Sequence, residues 1–360
     1  MSASNSATEP PPLITSQTMD SPMVPDSASS SSSKGLDSYD TRSLTDSITD
    51  YPMYWGRRYH RYKQDSYLFP NDESETSRLD AQHEILNRLH ARLYFSPLDP
   101  QIVRTVLDLG TGTGTWPIEL ADSNALPNAT ITGTDLSAVQ PLDVPSNVHF
   151  EIQDCAEDDW VRPLGSVDYC HVRFLAGSLI SYKDMIQTSR KYLRPGTGWL
   201  ECQELHPTPV SDDDTIPENW PLKTWDENLE YASNECLDPP RPVRIAPDIK
   251  TWMEEAGYVD IHEHVCKIPL GPWPKDKRLK MIGGWWLNNW ISGLPGFTYK
   301  LFGPYGLQWT REEIEVMLAE VRKAATMKEV HSYQKYYVVY GRRPSKEEED
   351  EDERSWHGHG

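Results

Sequence analysis

An α/β fold with a mostly parallel sheet is predicted by three observations. Apolar, β-rich stretches alternate with helical ones through the middle of the chain. The first of these stretches, "VLDLGTGTGTW" from Val106 to Trp116, runs through an acid into three glycines within five positions. The next two strand candidates each run out into another aspartate, Asp135 and Asp154. Strands that alternate with helices pair in parallel, because the helix carries the chain back to the starting edge of the sheet.

Taken in order, residues 1–50 are dense in Ser, Thr, Pro and Asp and hold no sustained apolar periodicity. Such a composition cannot bury enough surface to offset its ordering entropy, and the segment is expected to be disordered. "FPNDESETSRLDAQHEILNRLHARLYF" then predicts a long helix, with Leu79, Leu86, Leu89 and Leu93 at the helical period. Asp72 and Glu75 stand at capping-box spacing before it. Strands are expected at Val103–Leu109, Ala129–Thr134, Val148–Ile152, Val167–Val172 and Gly198–Gln203, and later at Val259–Ile268 and Ser332–Gly341. Helices are expected at Trp116–Ser123 and Tyr182–Leu193, the second stopped by "RPGTG".

Two long segments interrupt the alternation. Residues 205–257 carry the acidic loop "SDDDT" and two helices. Residues 271–327 are rich in Trp and Pro and end in a helix capped by Thr310 and Glu313. Insertions of this size at the carboxyl end of a parallel sheet commonly build substrate lids. The run from Lys346 to Arg354 is mostly Glu and Asp, a solvated tail. The expected organisation is therefore a domain over residues 51–344, with disordered segments at 1–50 and 345–360.

The net charge of −20 argues against direct nucleic-acid binding, which needs clustered cations to neutralise phosphates. "WGRRYHRYKQ", Trp55 to Gln64, is a local exception, read here as packed aromatics with solvated cations. The five cysteines are scattered and form no C-x-x-C, so neither a disulfide framework nor a metal site is indicated. The N-terminus lacks the basic and apolar regions of a secretory signal, and no apolar run approaches a membrane span. The protein is expected to be intracellular, cytoplasmic or nuclear, and not secreted.

Glycines at a strand end suit a dinucleotide, a phosphate or S-adenosylmethionine. The dinucleotide fingerprint needs a glycine three places after its second, and here position 115 is Thr. The phosphate loop needs a following Gly-Lys-Ser/Thr, which is absent. Asp108, two residues before Gly110, would repel a pyrophosphate but pairs with the ammonium of a methionine moiety. Asp135 is positioned for ribose hydroxyls, which both nucleotide classes require. Asp154 can accept the adenine amino group, and the Cys155 amide can donate to the ring. S-adenosylmethionine is thus the expected cofactor, with its site on Asp108, Gly110, Thr111, Gly112, Gly114, Asp135, Leu136, Asp154 and Cys155.

The segments "LDLGTGTGTWPIELA", "GTDLSAVQP", "SYLFPNDESETSRLDAQH", "RPGTGWLECQE", "IPLGPWPKDKRLKMIG" and "SYQKYYVVYGRRP" resemble the LaeA-like methyltransferases of fungi. The resemblance covers about residues 55 to 344. It implies the seven-stranded class I methyltransferase sheet with helices on both faces and an antiparallel last strand. It also implies either an enzyme acting on a small metabolite or a nuclear regulator working in a protein complex. The family's glycine motif continues with an aliphatic residue and Trp, where this chain has Thr115, Trp116 and then Pro117. Proline is tolerated in a first helical turn.

Methyl transfer from a sulfonium is an in-line displacement that alignment and desolvation can drive without an acid or base. Should the acceptor have to lose a proton, the base candidates at the fourth and fifth strand ends are His171, Arg173, Glu204 and His206. His206 is taken as the catalytic candidate. Arg173 is assigned to the methionine carboxylate and Tyr67 to a position closing over the cofactor. Trp286 and Trp290 share a helix face, as core or as substrate wall. The complete set of acids and glycines disfavours a third reading, a non-catalytic scaffold. The Trp-rich insertion favours a closed apolar pocket, hence a small-molecule methyl acceptor over a protein partner.

Overall fold

A computed structural model of the protein describes residues 51–60 and 67–350. The expectation for residues 1–50 lies outside them. Among the described residues, seven strands form one sheet: β1 (Thr105–Leu109), β2 (Thr130–Asp135), β3 (Val148–Ile152), β4 (Tyr169–Arg173), β5 (Trp199–Val210), β6 (Val259–Pro269) and β7 (Tyr333–Arg342). Their spatial order is β3-β2-β1-β4-β5-β7-β6. The first five pair in parallel, and β7 is antiparallel to both β5 and β6. The helices are α1 (Glu73–His90), α2 (Thr115–Asp122), α3 (Tyr182–Tyr192), α4 (Pro221–Tyr231), α5 (Ile249–Glu255), α6 (Lys277–Phe302) and α7 (Arg311–Ala325).

Side chains alternate along a strand, so β1 feeds two cores. Val106 packs with Trp116 and Leu120 of α2 and with Ile131. Leu107 and Leu109 pack with Met185 and Ile186 of α3. A central strand covered on both faces is buried almost throughout, which explains the unbroken apolar run. A third, larger cluster gathers Trp220, which precedes α4, and Trp225 of α4 with Trp286, Trp290 and Leu294 of α6 and Ile314 and Leu318 of α7. The two interrupting segments thus fold onto each other.

The helix starts are those the sequence specified. The Asp72 side chain accepts from the Glu75 amide at 3.0 Å. Thr310 and Glu313 make the full reciprocal box, the Thr310 amide donating to Glu313 at 2.8 Å. The basic stretch is structural as far as the described residues reach. Trp55 stacks on Tyr54 at 4.5 Å, and Arg57 pairs with Asp72 at 2.6 Å. Residues 61–64 of that stretch lie outside the described residues.

The first long helix ends at His90, with Ala91 in the left-handed region, so Leu93 falls outside it. Two other boundaries differ more from expectation. β5 continues to Val210, seven residues further than its apolar pattern, with a bulge between His206 and Val210. Beyond Gln203 it pairs with β7 alone, and on such an edge Pro207 and Pro209 cost no ladder bond. Part of the segment expected to be disordered, residues 346–350, is helical, and residues 351–360 lie outside the described residues. Ser345 caps that turn, Arg342 pairs with Glu348 at 2.8 Å, and Arg190 pairs with Glu349 at 2.6 Å. Opposite charges brought near by folding, invisible in composition, order this part of the tail.

Candidate functional site

The carboxyl ends of β1 to β4 open into one cleft, and the glycine run forms its floor. Gly112 lies in the left-handed region at φ +58, and a Cβ there would meet only Leu79, at 3.6 Å. That conformation, uncommon outside glycine, turns its amide onto the Asp135 Oδ2 atom at 2.9 Å. The Ser137 amide donates to the other oxygen at 2.9 Å. Burial pushes the Asp135 carboxyl up to about 6, against the pull of these amides. Each oxygen keeps acceptor capacity, which suits two vicinal ribose hydroxyls.

Gly114 does something else. It is absent from the cleft lining, precedes α2 at φ +78, and a Cβ on it would strike the Phe150 ring at 2.4 Å. Here the chain passes β3 closely to enter α2, so glycine is required at this position for packing, beside the expectation of a cofactor contact. The Thr115 hydroxyl, the family's departure, donates to Asp80 of α1 at 2.7 Å.

At the methionine end, Asp108 and His171 occupy paired positions on β1 and β4. His171 Nδ1 lies 2.7 Å from Asp108 Oδ1, and its ring stacks on Trp116 at 3.8 Å between centroids. His171 is therefore built into the wall. Arg173 reaches the cleft from the end of β4, donating from Nη2 to His83 Nδ1 at 2.9 Å.

At the other end, Leu136, Asp154 and Cys155 line the cleft, with Asp154 Oδ1 accepting the Ala156 amide at 2.9 Å. Burial pushes the Cys155 thiol far up, so it stays neutral. Gln153 was missed by sequence reasoning, since a polar residue at a strand end carries no distinguishing signal. Its amide is buried in the lining with neither polar atom partnered among the described residues, and the same holds for the Thr111 hydroxyl. Unsatisfied buried groups of this kind are rare, and they mark where a polar ligand would sit. Gln153, Asp154 and the Cys155 backbone fit an adenine edge, Asp135 a ribose, and Asp108 with Arg173 an amino acid. The residues present fit S-adenosylmethionine.

A second chamber adjoins the first. Tyr67, Leu79, Gln82 and Phe174 line both. Burial keeps the Tyr67 hydroxyl protonated. The far wall is aromatic: Phe69, Trp225, Trp286, Trp290 and Phe297. Trp286 is 2% exposed and its indole donates to Gln334 at 2.9 Å, so it serves as core and wall together. The polar residues here are largely engaged with one another. Arg78 donates to Glu75 at 2.6 Å, Gln82 at 2.7 Å and Asn289 at 3.2 Å, and Gln334 donates to the Pro207 carbonyl at 2.6 Å.

His206, the candidate base, lines neither cavity. Leu205 and Pro207 on either side of it border the chamber, whereas the partly buried His206 ring feels the charges of Asp226 and Arg244. Glu204 does border the chamber, but its side chain is fully buried and Oε1 accepts the Leu175 amide at 2.6 Å. Burial pushes it up to about 8, so at neutral pH it is mostly a neutral acid. The arrangement supplies alignment and water exclusion; His206 lies outside both cavities, and Glu204 keeps its second carboxyl oxygen, Oε2, unpartnered among the described residues.

Residues 75–263 match the family described as a methyltransferase domain. The chain is 39% identical over 306 residues to the methyltransferase pytC of Aspergillus terreus, covering 84% of this chain and 91% of that one. It is 30% identical over 292 residues to the secondary metabolism regulator LAE1 of Cochliobolus heterostrophus, covering 80% of this chain and 94% of that one. Among solved structures, phosphoethanolamine N-methyltransferase 2 of Haemonchus contortus, crystallised with S-adenosyl-L-methionine, superposes with a TM-score of 0.41 at 15% identity. That superposition covers 78% of this chain and 55% of the other.

Proposed function

The chain belongs to the methyltransferase-domain family and uses S-adenosylmethionine as its methyl donor; from that premise we propose that the acceptor is a small apolar molecule of fungal secondary metabolism, methylated on O or N inside the aromatic chamber. The observation that carries this reading is the chamber itself. It shares four residues with the cofactor cleft, its far wall is three tryptophans and two phenylalanines, and its polar side chains are largely spent on one another. Such a wall favours an apolar guest over a charged peptide.

When bound, the cofactor supplies an electrophilic methyl on a sulfonium, already a good leaving group. Asp135 would accept the ribose hydroxyls, Arg173 would hold the methionine carboxylate, and Asp108 would face the ammonium. Tyr67 and Phe174, at the mouth shared by both cavities, would align the acceptor with the methyl. Trp225, Trp286 and Trp290 would exclude water from the displacement, which strengthens the charge effects on it.

The regulator reading draws on the relatives at about 30% identity, named as secondary metabolism regulators. A protein partner in the nucleus belongs to that reading, and either reading places the protein inside the cell. Incubation with methyl-labelled S-adenosylmethionine separates them. The small-molecule fraction and the protein fraction of a filamentous fungus are offered separately. Label is expected in organic-extractable material, and label confined to precipitated protein would overturn the proposal.

A further inference from the structure

The helix segment "RLDAQH", set beside the glycine loop, ends in a histidine that lines the cofactor cleft and has no role in the site assigned so far. His83 is 4% exposed and sits between two charged groups. Its Nδ1 accepts from Arg173 Nη2 at 2.9 Å. Its Nε2 faces Glu119 Oε2 of α2. Asn87, one turn further along α1, donates to the same Glu119 oxygen at 2.6 Å. A neutral imidazole has one donor and one acceptor nitrogen. Glu119 fixes the proton on Nε2, and that leaves Nδ1 as the acceptor for Arg173.

We infer that His83 is a positioning residue: held by Glu119, it aims the Arg173 guanidinium at the carboxylate of the bound methionine moiety. This rests on the reading of Arg173 as the carboxylate clamp. A guanidinium carries five donors in a rigid fork, and fixing one Nη against a buried acceptor orients the rest. The relay also joins three elements, because α1, α2 and β4 must be docked before Arg173 points into the cleft.

The groups facing His83 are Glu119 and Asn87, Arg173 and His171 on β4, with Asp108 behind His171. Burial and the Arg173 charge hold its protonation below the ordinary histidine range, outweighing Glu119. A proton on Nδ1 would place a donor against a donor, so carboxylate binding should weaken only at pH below about 6.5.

The test compares S-adenosylmethionine with 5′-methylthioadenosine, which keeps adenine, ribose and sulfur but lacks the amino-acid end. Calorimetric affinities for both are measured on full-length wild type, His83→Leu, His83→Gln and Arg173→Ala, each checked for an intact melting transition. Arg173→Ala should weaken S-adenosylmethionine about 10- to 100-fold and leave methylthioadenosine unchanged. His83→Leu should weaken S-adenosylmethionine about tenfold, again without touching methylthioadenosine. Gln supplies an acceptor oxygen and should restore most of the loss. In Arg173→Ala, adding His83→Leu should cost nothing more. The wild-type ratio of the two affinities should fall at acid pH, and taking the ratio removes the titration of Asp135, which both ligands meet. If Arg173→Ala leaves the ratio unchanged, the clamp reading itself fails. If Arg173→Ala shifts the ratio and His83→Leu does not, or weakens both ligands equally, the clamp stands and the relay is overturned.

Discussion

Asp108 and His171 face each other from adjacent parallel strands, 2.7 Å apart, and the His171 ring stacks flat on Trp116 with the two planes within 4° of parallel. One carboxylate therefore has two duties: it anchors a buried imidazole and presents its remaining acceptor capacity to the cleft. Asp135, at the end of the neighbouring strand β2, is held instead by the backbone amides of Gly112 and Ser137.

Asp108→Ala should accordingly lower stability as well as cofactor affinity. It strips the partner from an imidazole with no solvent exposure, a loss of roughly 1–3 kcal/mol. Thermal melts of the unliganded protein check this, and a melt identical to wild type would refute the anchoring role.

Asp135→Ala should weaken S-adenosylmethionine by one to two decades, a charge-assisted hydrogen bond being worth about 1.5–3 kcal/mol. Asp158→Ala is the control. It removes the same charge from an exposed site whose nearest cation, Lys191, is 3.6 Å away. Calorimetry showing equal losses for the two would remove Asp135 from the site.

The pH dependence has a definite sign. Burial raises the Asp135 carboxyl to about 6, so it takes up a proton as pH falls through that value. A protonated carboxyl no longer offers a charged acceptor to the ribose. Affinity for 5′-methylthioadenosine should be flat above pH 7 and about tenfold weaker at pH 5, the mass-action consequence of a group titrating near 6. A flat profile from pH 8 to pH 5 would contradict this.

Trp286→Ala tests wall against core. A wall role predicts that turnover falls more than cofactor affinity, because the cofactor cleft does not include Trp286. The residue is also buried in the third cluster, so a stability loss of roughly 3–5 kcal/mol is expected in either case. Turnover and affinity falling in parallel with stability would leave only the core role.

His206→Ala should leave turnover within a few-fold of wild type, because the ring lines neither cavity. A loss of a hundredfold, the scale of general-base catalysis, would return it to the mechanism.

The sequence by itself determined the features that local pattern controls. Alternation of period, the caps at Asp72 and Thr310, and the glycine spacing specified most strands and helices within a residue or two, β5 being the main exception. That the acids Asp108, Asp135 and Asp154 line one cleft was legible because parallel strands must end at one edge. Tertiary structure decided everything that depends on which way a side chain faces and what faces it. Gly114 acquired a packing constraint because Phe150, distant in sequence, fills the space beside it. His206 came to lie outside both cavities, on a strand extended by a partner that enters the chain more than a hundred residues later. His83 gained a role for the same reason, since nothing in "RLDAQH" announces that Arg173 and Glu119 will meet it from two other elements. Periodicity is a property of neighbours along the chain, whereas a charge, a tautomer or a cavity wall is set by neighbours across it.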